Sequence, residues 1–582
     1  MLSRFAVLVS LLVWLVAGVH SARADQSYEW QRTTRLLTKL GLEVDSAPEG
    51  KRIAWTRIVR DEVFVEDEVW PAWFNWFHWT TREEVVAREL LFHPGDALDP
   101  ARIEETMRNL RGMGTFALVR IVPVRTGRPD EVGVLVHTRD LWSLRFEWAY
   151  NLTTRLDSLL LRGTERNAFG RNKVAGVEYR LIPKSYSVGE DYYARRVWGS
   201  SVELDQQGGL AFHRQTGRRE GSFAAISLGQ PFRNLGQRYA WTLAGSYDTR
   251  VIRAVRDGEV QPYPSPIEGE EQGQPSAALS VWRRRYRAAS LLGQIRRGDR
   301  FKQTFSLGWD YRFLQGSATS ETNLPTSLRE AFARDVLPRP RTESGPLLGY
   351  QLFVPRWATF VNLSTFGQSE NVRVGPWLTS SLRVPRRAFG SSTDSWVVSS
   401  ALGFTAAPAK YLVDVSASRR LRYERGARVD QLSILMLRGA TPMISSFRLV
   451  ARAAYEWRLR DTSNTLVSLG GDNGLRGYVN QALYGYGASR LLVNFELRSA
   501  PIEWEAVHLG GVVFYDIGRL YGRVNDDALR HSIGIGLRLL FPQFNRSPYS
   551  FDVGVVDHPA PGVVPTISTG QVVPMTAIED PI

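Results

Sequence analysis

From Ser143 to the end of the chain, apolar and polar residues alternate with a period of two, which predicts strands and no helices. In Phe447 to Arg458 the odd positions are Phe447, Leu449, Ala451, Ala453, Tyr455 and Trp457, while Arg448, Arg452, Glu456 and Arg458 take the other parity. Leu491, Val493, Phe495 and Leu497 likewise oppose Arg490, Asn494, Glu496 and Arg498, and Ile533, Ile535, Leu537, Leu539 and Phe541 oppose Ser532, Gly534, Gly536 and Arg538. Such alternation fits a half-buried soluble sheet or a membrane barrel, and length and charge decide between them. Strands of about 9 to 11 residues match a tilted crossing of the hydrocarbon layer. Arg and Glu on the inner parity would face a wet lumen, where they stay solvated and avoid a buried-charge cost of several kcal/mol.

Upstream the period changes. Residues 25–50 carry a weak helical pattern (Trp30, Leu37, Leu40) ending at Gly41 and read as a linker or short helix, and Ile53 to Phe64 alternates as a strand. Thr80-Thr81-Arg82-Glu83 has the form of a capping box before an apolar stripe at Val85, Val86, Leu90 and Leu91. A second helix starts at Asp99 with Pro100 in its first position, carries Ile103, Met107 and Leu110 on one face, and stops at Gly112 or Gly114. Two strands follow, Ala117 to Val124 and Glu131 to His137. Between the first strand and first helix, Trp70, Trp73, Trp76 and Trp79 recur at every third residue. They form either a membrane-interface or partner-binding element, or a turn plugged into the domain's own core.

At the N-terminus, Arg4, an apolar run from Phe5 to Val19 and Ala22-Arg23-Ala24 before Asp25 have the form of a secretory signal with its cleavage site. Polar stretches at Asp257 to Pro275, Gly316 to Gly345, Tyr186 to Arg195 and Arg386 to Asp394 read as long loops. The net charge of +14 is carried almost wholly by arginine, and no Lys/Arg block stands apart from the alternation as a nucleic-acid patch would. Cysteine is absent, which excludes disulfides, thiolate metal sites and Cys nucleophiles. No metal site or other cofactor is expected. Neither G-x-S-x-G nor H-E-x-x-H occurs, so an enzyme is not expected either.

Several of these segments are similar to one known family. The strand-helix-helix-strand-strand order of residues 51–140 resembles a POTRA domain, as do Gly95-Asp96, the Leu110 to Phe116 run and the Val136 to Trp142 exit. Leu475-Arg476-Gly477-Tyr478 resembles the VRGF/Y motif that Omp85-superfamily barrels carry in a loop folded back into the lumen. Phe514, Asp516 and Gly518 match that family's F-x-D-x-G strand motif, and Glu165, Asn167 and Gly170 its E-x-N-x-x-G turn.

The resemblance implies an all-β transmembrane antiparallel barrel over 141–574, of sixteen strands, preceded by one POTRA domain, with 575–582 as a tail. It also implies an outer-membrane location, with the POTRA domain in the periplasm. The partners it implies are the outer-membrane bilayer, unfolded outer-membrane or secreted client proteins, and periplasmic accessory proteins or chaperones. A lateral seam is then expected between Ser143 to Tyr150 and Val563 to Val573. The alternative at that seam is a disordered tail over 557–582, since Pro565 and Pro574 bracket the strand-like segment. An arginine fork on a carboxylate would hold the loop by two charge-assisted hydrogen bonds, so Arg476 and Asp516 are expected to pair. The functional alternative is a dedicated secretion or transport pore of the same fold.

Overall fold

A computed structural model describes residues 28–64, 70–152, 156–256, 259–263, 278–479, 481–504, 506–556, 562–569 and 573. The signal-like segment 1–24 and the tail 575–582 lie outside them. The N-terminal part is a small domain of α1 (Tyr28–Leu40), β1 (Arg52–Asp61), α2 (Glu83–Ala87), α3 (Pro100–Gly112), β2 (Phe116–Arg125) and β3 (Glu131–Asp140). The sheet order is β1-β3-β2, with β1 parallel and β2 antiparallel to the central β3. Ile103, Met107 and Leu110 of α3 pack with Val86, Phe92, Val119 and Val134 on one face of this sheet. On the other face Leu37 of α1 packs with Val122, Val124 and Leu135, so α1 completes the domain as a second helical layer. The Asp99 side chain accepts a hydrogen bond from the Ala101 amide and Pro100 opens α3, as the sequence predicts. The capping box at Thr80 does not form. The cap of α2 is Arg82, with no side-chain bond, because the Thr81 amide donates to the Asp140 carboxylate (2.5 Å) and the Thr80 hydroxyl to Glu62.

The remaining chain closes into a barrel. Among the described residues the closed sheet runs through twenty-one strands. One of them, Ile502–Glu503, continues Ser489–Ser499 against the same neighbour, His508–Tyr521. The wall is therefore twenty strands, all antiparallel and in chain order, where sixteen were expected. One source of the difference is Ser185–Ala194, whose Gly189, Glu190 and Asp191 read as a loop but which pairs with both neighbours along its length. The stretch Gly316 to Gly345 is also mostly wall at its two ends, since strands Lys302–Ala318 and Arg341–Phe353 extend into it and leave a loop over 319–340.

The wall is apolar outside and polar inside. Leu161, Val177, Val188, Leu243, Leu307 and Leu435 are exposed on the outer parity, whereas Asp310, Glu343, Arg383, Asp414, Arg422 and Arg438 are buried in the lumen. A continuous apolar belt of this extent is stable only in lipid.

Among the described residues, the last strand, Gly562–Thr569, pairs with Tyr549–Val556 from end to end, and meets the first strand, Leu144–Leu152, at Thr566–Asn151 and Ile567–Tyr150. The segment 562–569 is thus a strand and not part of a disordered tail. Across the barrel from this closure, Val281–Arg297 and Lys302–Ala318 have 17 residues each.

Candidate functional site

The loop over 460–488 does not project away from the barrel. It leaves strand Phe447–Leu459 at the far rim, the end away from the small domain, and turns into the lumen as a short hairpin, Leu466–Leu469 with Leu483–Tyr486. Val467, Leu469, Leu475, Tyr478 and Leu483 of the loop pack on Leu492, Leu520 and Val556 of the wall. Two glycines make the approach possible. Gly477 has φ +83° and lies against Gly554, where a Cβ would be 2.6 Å from the Gly477 Cα. At Gly518 a Cβ would be 3.0 Å from Leu475, so this motif glycine is the floor on which the loop rests.

Arg476 sits at the end of this apolar contact, 1% exposed. Its Nε donates to Asp516 Oδ2 (2.7 Å) and its Nη2 to Asp516 Oδ1 (2.8 Å), the fork expected from the sequence, and its own backbone N–H adds a third bond to Oδ2 (3.2 Å). Its Nη1 donates to Glu496 Oε1 (2.8 Å) and lies 3.7 Å from Asp552. The guanidinium stacks over Phe514, 3.7 Å from the ring centre, and Phe514 in turn lies on Gly534, where a Cβ would come within 2.3 Å of the ring. Asn494 Nδ2 bridges Asp516 and the Gly474 carbonyl, and the Tyr478 hydroxyl donates to the His531 carbonyl (3.1 Å). Arg498 holds the other oxygen of Glu496, and Arg538 holds Asp552. Three arginines thus face three carboxylates, so the buried charge is balanced only with the loop in place.

Glu496, Asn494, Arg498, Arg538 and Asp552 were not singled out as members of this cluster. Their signal was the inward parity of charges on adjacent strands, which by itself does not separate a latch partner from a solvated lumen charge.

A second insertion comes from the near rim, the end beside the small domain. Between strands Arg341–Phe353 and Gly375–Arg383, the hairpin Trp357–Val361 with Ser369–Arg373 folds into the barrel mouth, where Phe360, Leu363 and Val372 pack on Leu412, Ala440 and Val450. Glu370 closes its tip by accepting the amides of Leu363, Ser364 and Thr365. Arg448 and Arg498 donate to its Asn362 and Leu363 carbonyls (2.6 and 2.8 Å). Glu496 and Arg498 on one strand therefore tie the far loop to the near hairpin. Beside the far loop, against Ser463 to Leu466, lies a chamber of about 680 Å³ lined by Arg253, Arg284, Arg312, Arg341, Arg383 and Arg420 among others.

The early-barrel turn is a docking point for the small domain. Glu165 accepts the Asn167 amide (2.8 Å), and Asn167 Nδ2 donates to the Trp79 carbonyl (2.8 Å) and the Thr81 hydroxyl (2.9 Å). The Gly170 carbonyl accepts the Arg82 amide (2.9 Å), and a Cβ there would be 2.4 Å from the Thr80 oxygen. Glu89 adds ion pairs to Arg195 (3.1 Å) and Arg196 (2.9 Å), and burial of that carboxyl is outweighed by the two guanidinium groups, which hold its pKa below the usual carboxylate range. Ser369 of the hairpin reaches Glu29 of α1 (3.2 Å).

No protein-family model and no curated protein sequence matches the chain. Among solved structures it is similar to BamA from Haemophilus ducreyi lacking POTRA domains 1–3, at 13% identity over 97% of each chain with a TM-score of 0.34. It is also similar to CdiB from Escherichia coli, at 11% identity over 90% of this chain and 77% of that one, TM-score 0.42, and to CdiB from Acinetobacter baumannii, at 12% over 93% and 80%, TM-score 0.36. The likeness is one of fold. At this identity it carries no residue roles, which rest on the geometry above.

Proposed function

We propose that this chain works in a bacterial outer membrane, with its small domain in the periplasm, and assists the insertion or translocation of other proteins. The observation that carries this reading is the closure of the wall, where among the described residues the first and last strands pair at two positions, Thr566–Asn151 and Ile567–Tyr150. An incoming strand meets there a sparsely paired edge, and β-augmentation of that edge is the interaction that fits. The latch at Arg476 and the near hairpin keep the lumen closed while the seam is used, and no bond is made or broken. Depleting the chain from cells tests this reading, with loss of other outer-membrane or secreted proteins as the expected result.

The arginine-lined chamber favours a second reading, a dedicated pore for an anionic solute or polypeptide. Both readings require the near hairpin to block the lumen. Replacing residues 356–374 by a short turn should convert an electrically silent barrel into one with steady conductance in planar bilayers, and continued silence would show that the hairpin is not the plug. Block of that conductance by one exported substrate would favour the pore.

A further inference from the structure

Trp70 to Trp79 crosses the near rim directly beneath the seam. At one end Trp70 packs on Phe541 and Phe544 (ring centres 6.4 and 5.1 Å), in the turn between strands Arg530–Leu540 and Tyr549–Val556. At the other end Trp79 packs on Phe169 (5.2 Å), in the turn between Leu156–Glu165 and Lys173–Ile182. The strands whose ends lie between these two turns include the first and the last of the barrel.

The segment forms a single 3₁₀ helix, Ala72–Phe77, pinned by Asn75, whose amide group exchanges two hydrogen bonds with the backbone of Phe64. Trp70 faces the barrel turn, and Phe74 packs on Phe64 and Trp142. Trp73 (50% exposed), Trp76 (84%), Phe77 (61%) and Trp79 (48%) face away from it, and no Asp, Glu, Lys or Arg occurs from Trp70 to Trp79. The same level of the barrel carries Phe169 (62%) and Trp198 (99%) at the tips of neighbouring turns, and Phe146 at the foot of the first strand, on the outer parity.

We infer that this segment is a membrane anchor: Trp73, Trp76, Phe77 and Trp79 insert into the headgroup region of the leaflet on the small domain's side, beside the seam. The exposed aromatic surface is continuous with the lipid-facing belt of the wall through Phe541 and Phe169. Indole and phenyl rings at that depth are in their preferred environment, with the ring plane in hydrocarbon and the indole N–H among headgroups. A protein partner would need complementary chemistry on a strip that the barrel wall already commits to lipid. The anchor fixes the small domain against the rim and places bulky rings in the bilayer beside the seam.

Because the chain has no cysteine, a nitroxide can be placed at one position at a time in the full-length protein, folded in phosphatidylcholine–phosphatidylglycerol vesicles. Leu307→Cys on the outer wall gives the lipid reference and Arg128→Cys on the small domain the aqueous one. At Trp76→Cys, collisions with oxygen should exceed those with a water-soluble nickel chelate, shifting the ratio from the value at 128 toward that at 307. A water-like ratio at 76 would overturn the anchor. Shielding from both probes would also overturn it, since it would mean that protein covers the strip. Phe77→Cys repeats the measurement independently if Trp76→Cys lowers the yield of folded barrel.

Discussion

Arg476→Ala is expected to release the far loop from the lumen while the strand ladder stays intact. The substitution leaves Asp516 buried with only Asn494 as a side-chain partner and removes one of two cations from Glu496. Breaking one partner of a buried pair costs about 3–5 kcal/mol, which is a hundredfold or more in the docking equilibrium at about 1.4 kcal/mol per tenfold. Amide exchange across Leu466 to Tyr486 should accelerate accordingly, with strands Ser489–Ser499 and His508–Tyr521 still protected. Unchanged protection would remove the latch from the account. Reversing the charges at 476 and 516 together should restore little, even though the two residues pair. An aspartate at 476 would face Glu496 and Asp552, which now stand 2.8 and 3.7 Å from the guanidinium. Arg476→Lys should recover part of the docking, since it keeps the charge and loses the fork.

The second large effect is expected at the seam. Asn151 and Thr566 are direct partners across the closure, so cysteines at these positions fall within the Cα separation that a disulfide needs, about 5.5–6 Å. With no other cysteine in the chain, oxidation can form no competing intramolecular bridge. The locked barrel should fold and hold its latch but lose the ability to support its clients, and a reductant should restore it. Full support of clients from a barrel that stays oxidised would send the path through the lumen instead.

Much of the barrel was legible because lipid and lumen impose opposite polarity on alternate residues. The strands that the alternation predicts around Leu491 to Leu497 and Ile533 to Phe541 occur at Ser489–Ser499 and Arg530–Leu540. The strand number was not legible. Ser185–Ala194 carries Gly189, Glu190 and Asp191 in a wall position that turn chemistry would claim, and period-two alternation does not distinguish a wall strand from one folded into the mouth, as at Trp357–Val361. Leu469 to Tyr478 belongs to the tip of a hairpin that lies inside the barrel. The pairing of Arg476 with Asp516 could be inferred from two short motifs. The pairing with Glu496, and through it with Arg498 and the near hairpin, depends on the register of Ser489–Ser499 against its neighbours, which periodicity does not set.

The Trp-rich segment divides between its two readings. Trp70 packs on the barrel turn and Phe74 on Phe64 and Trp142, while Trp73 and Trp76, three apart in the 3₁₀ helix and so on one face of it, are exposed with Trp79.

Quantifying the outer-membrane and secreted proteins of cells with and without this chain tests most directly whether the seam serves other proteins. Barrel-type or exported proteins should fall in abundance on depletion and return when the wild-type chain, but not the oxidised 151–566 pair, is restored. Unchanged abundance of all of them in the depleted cells would contradict that role.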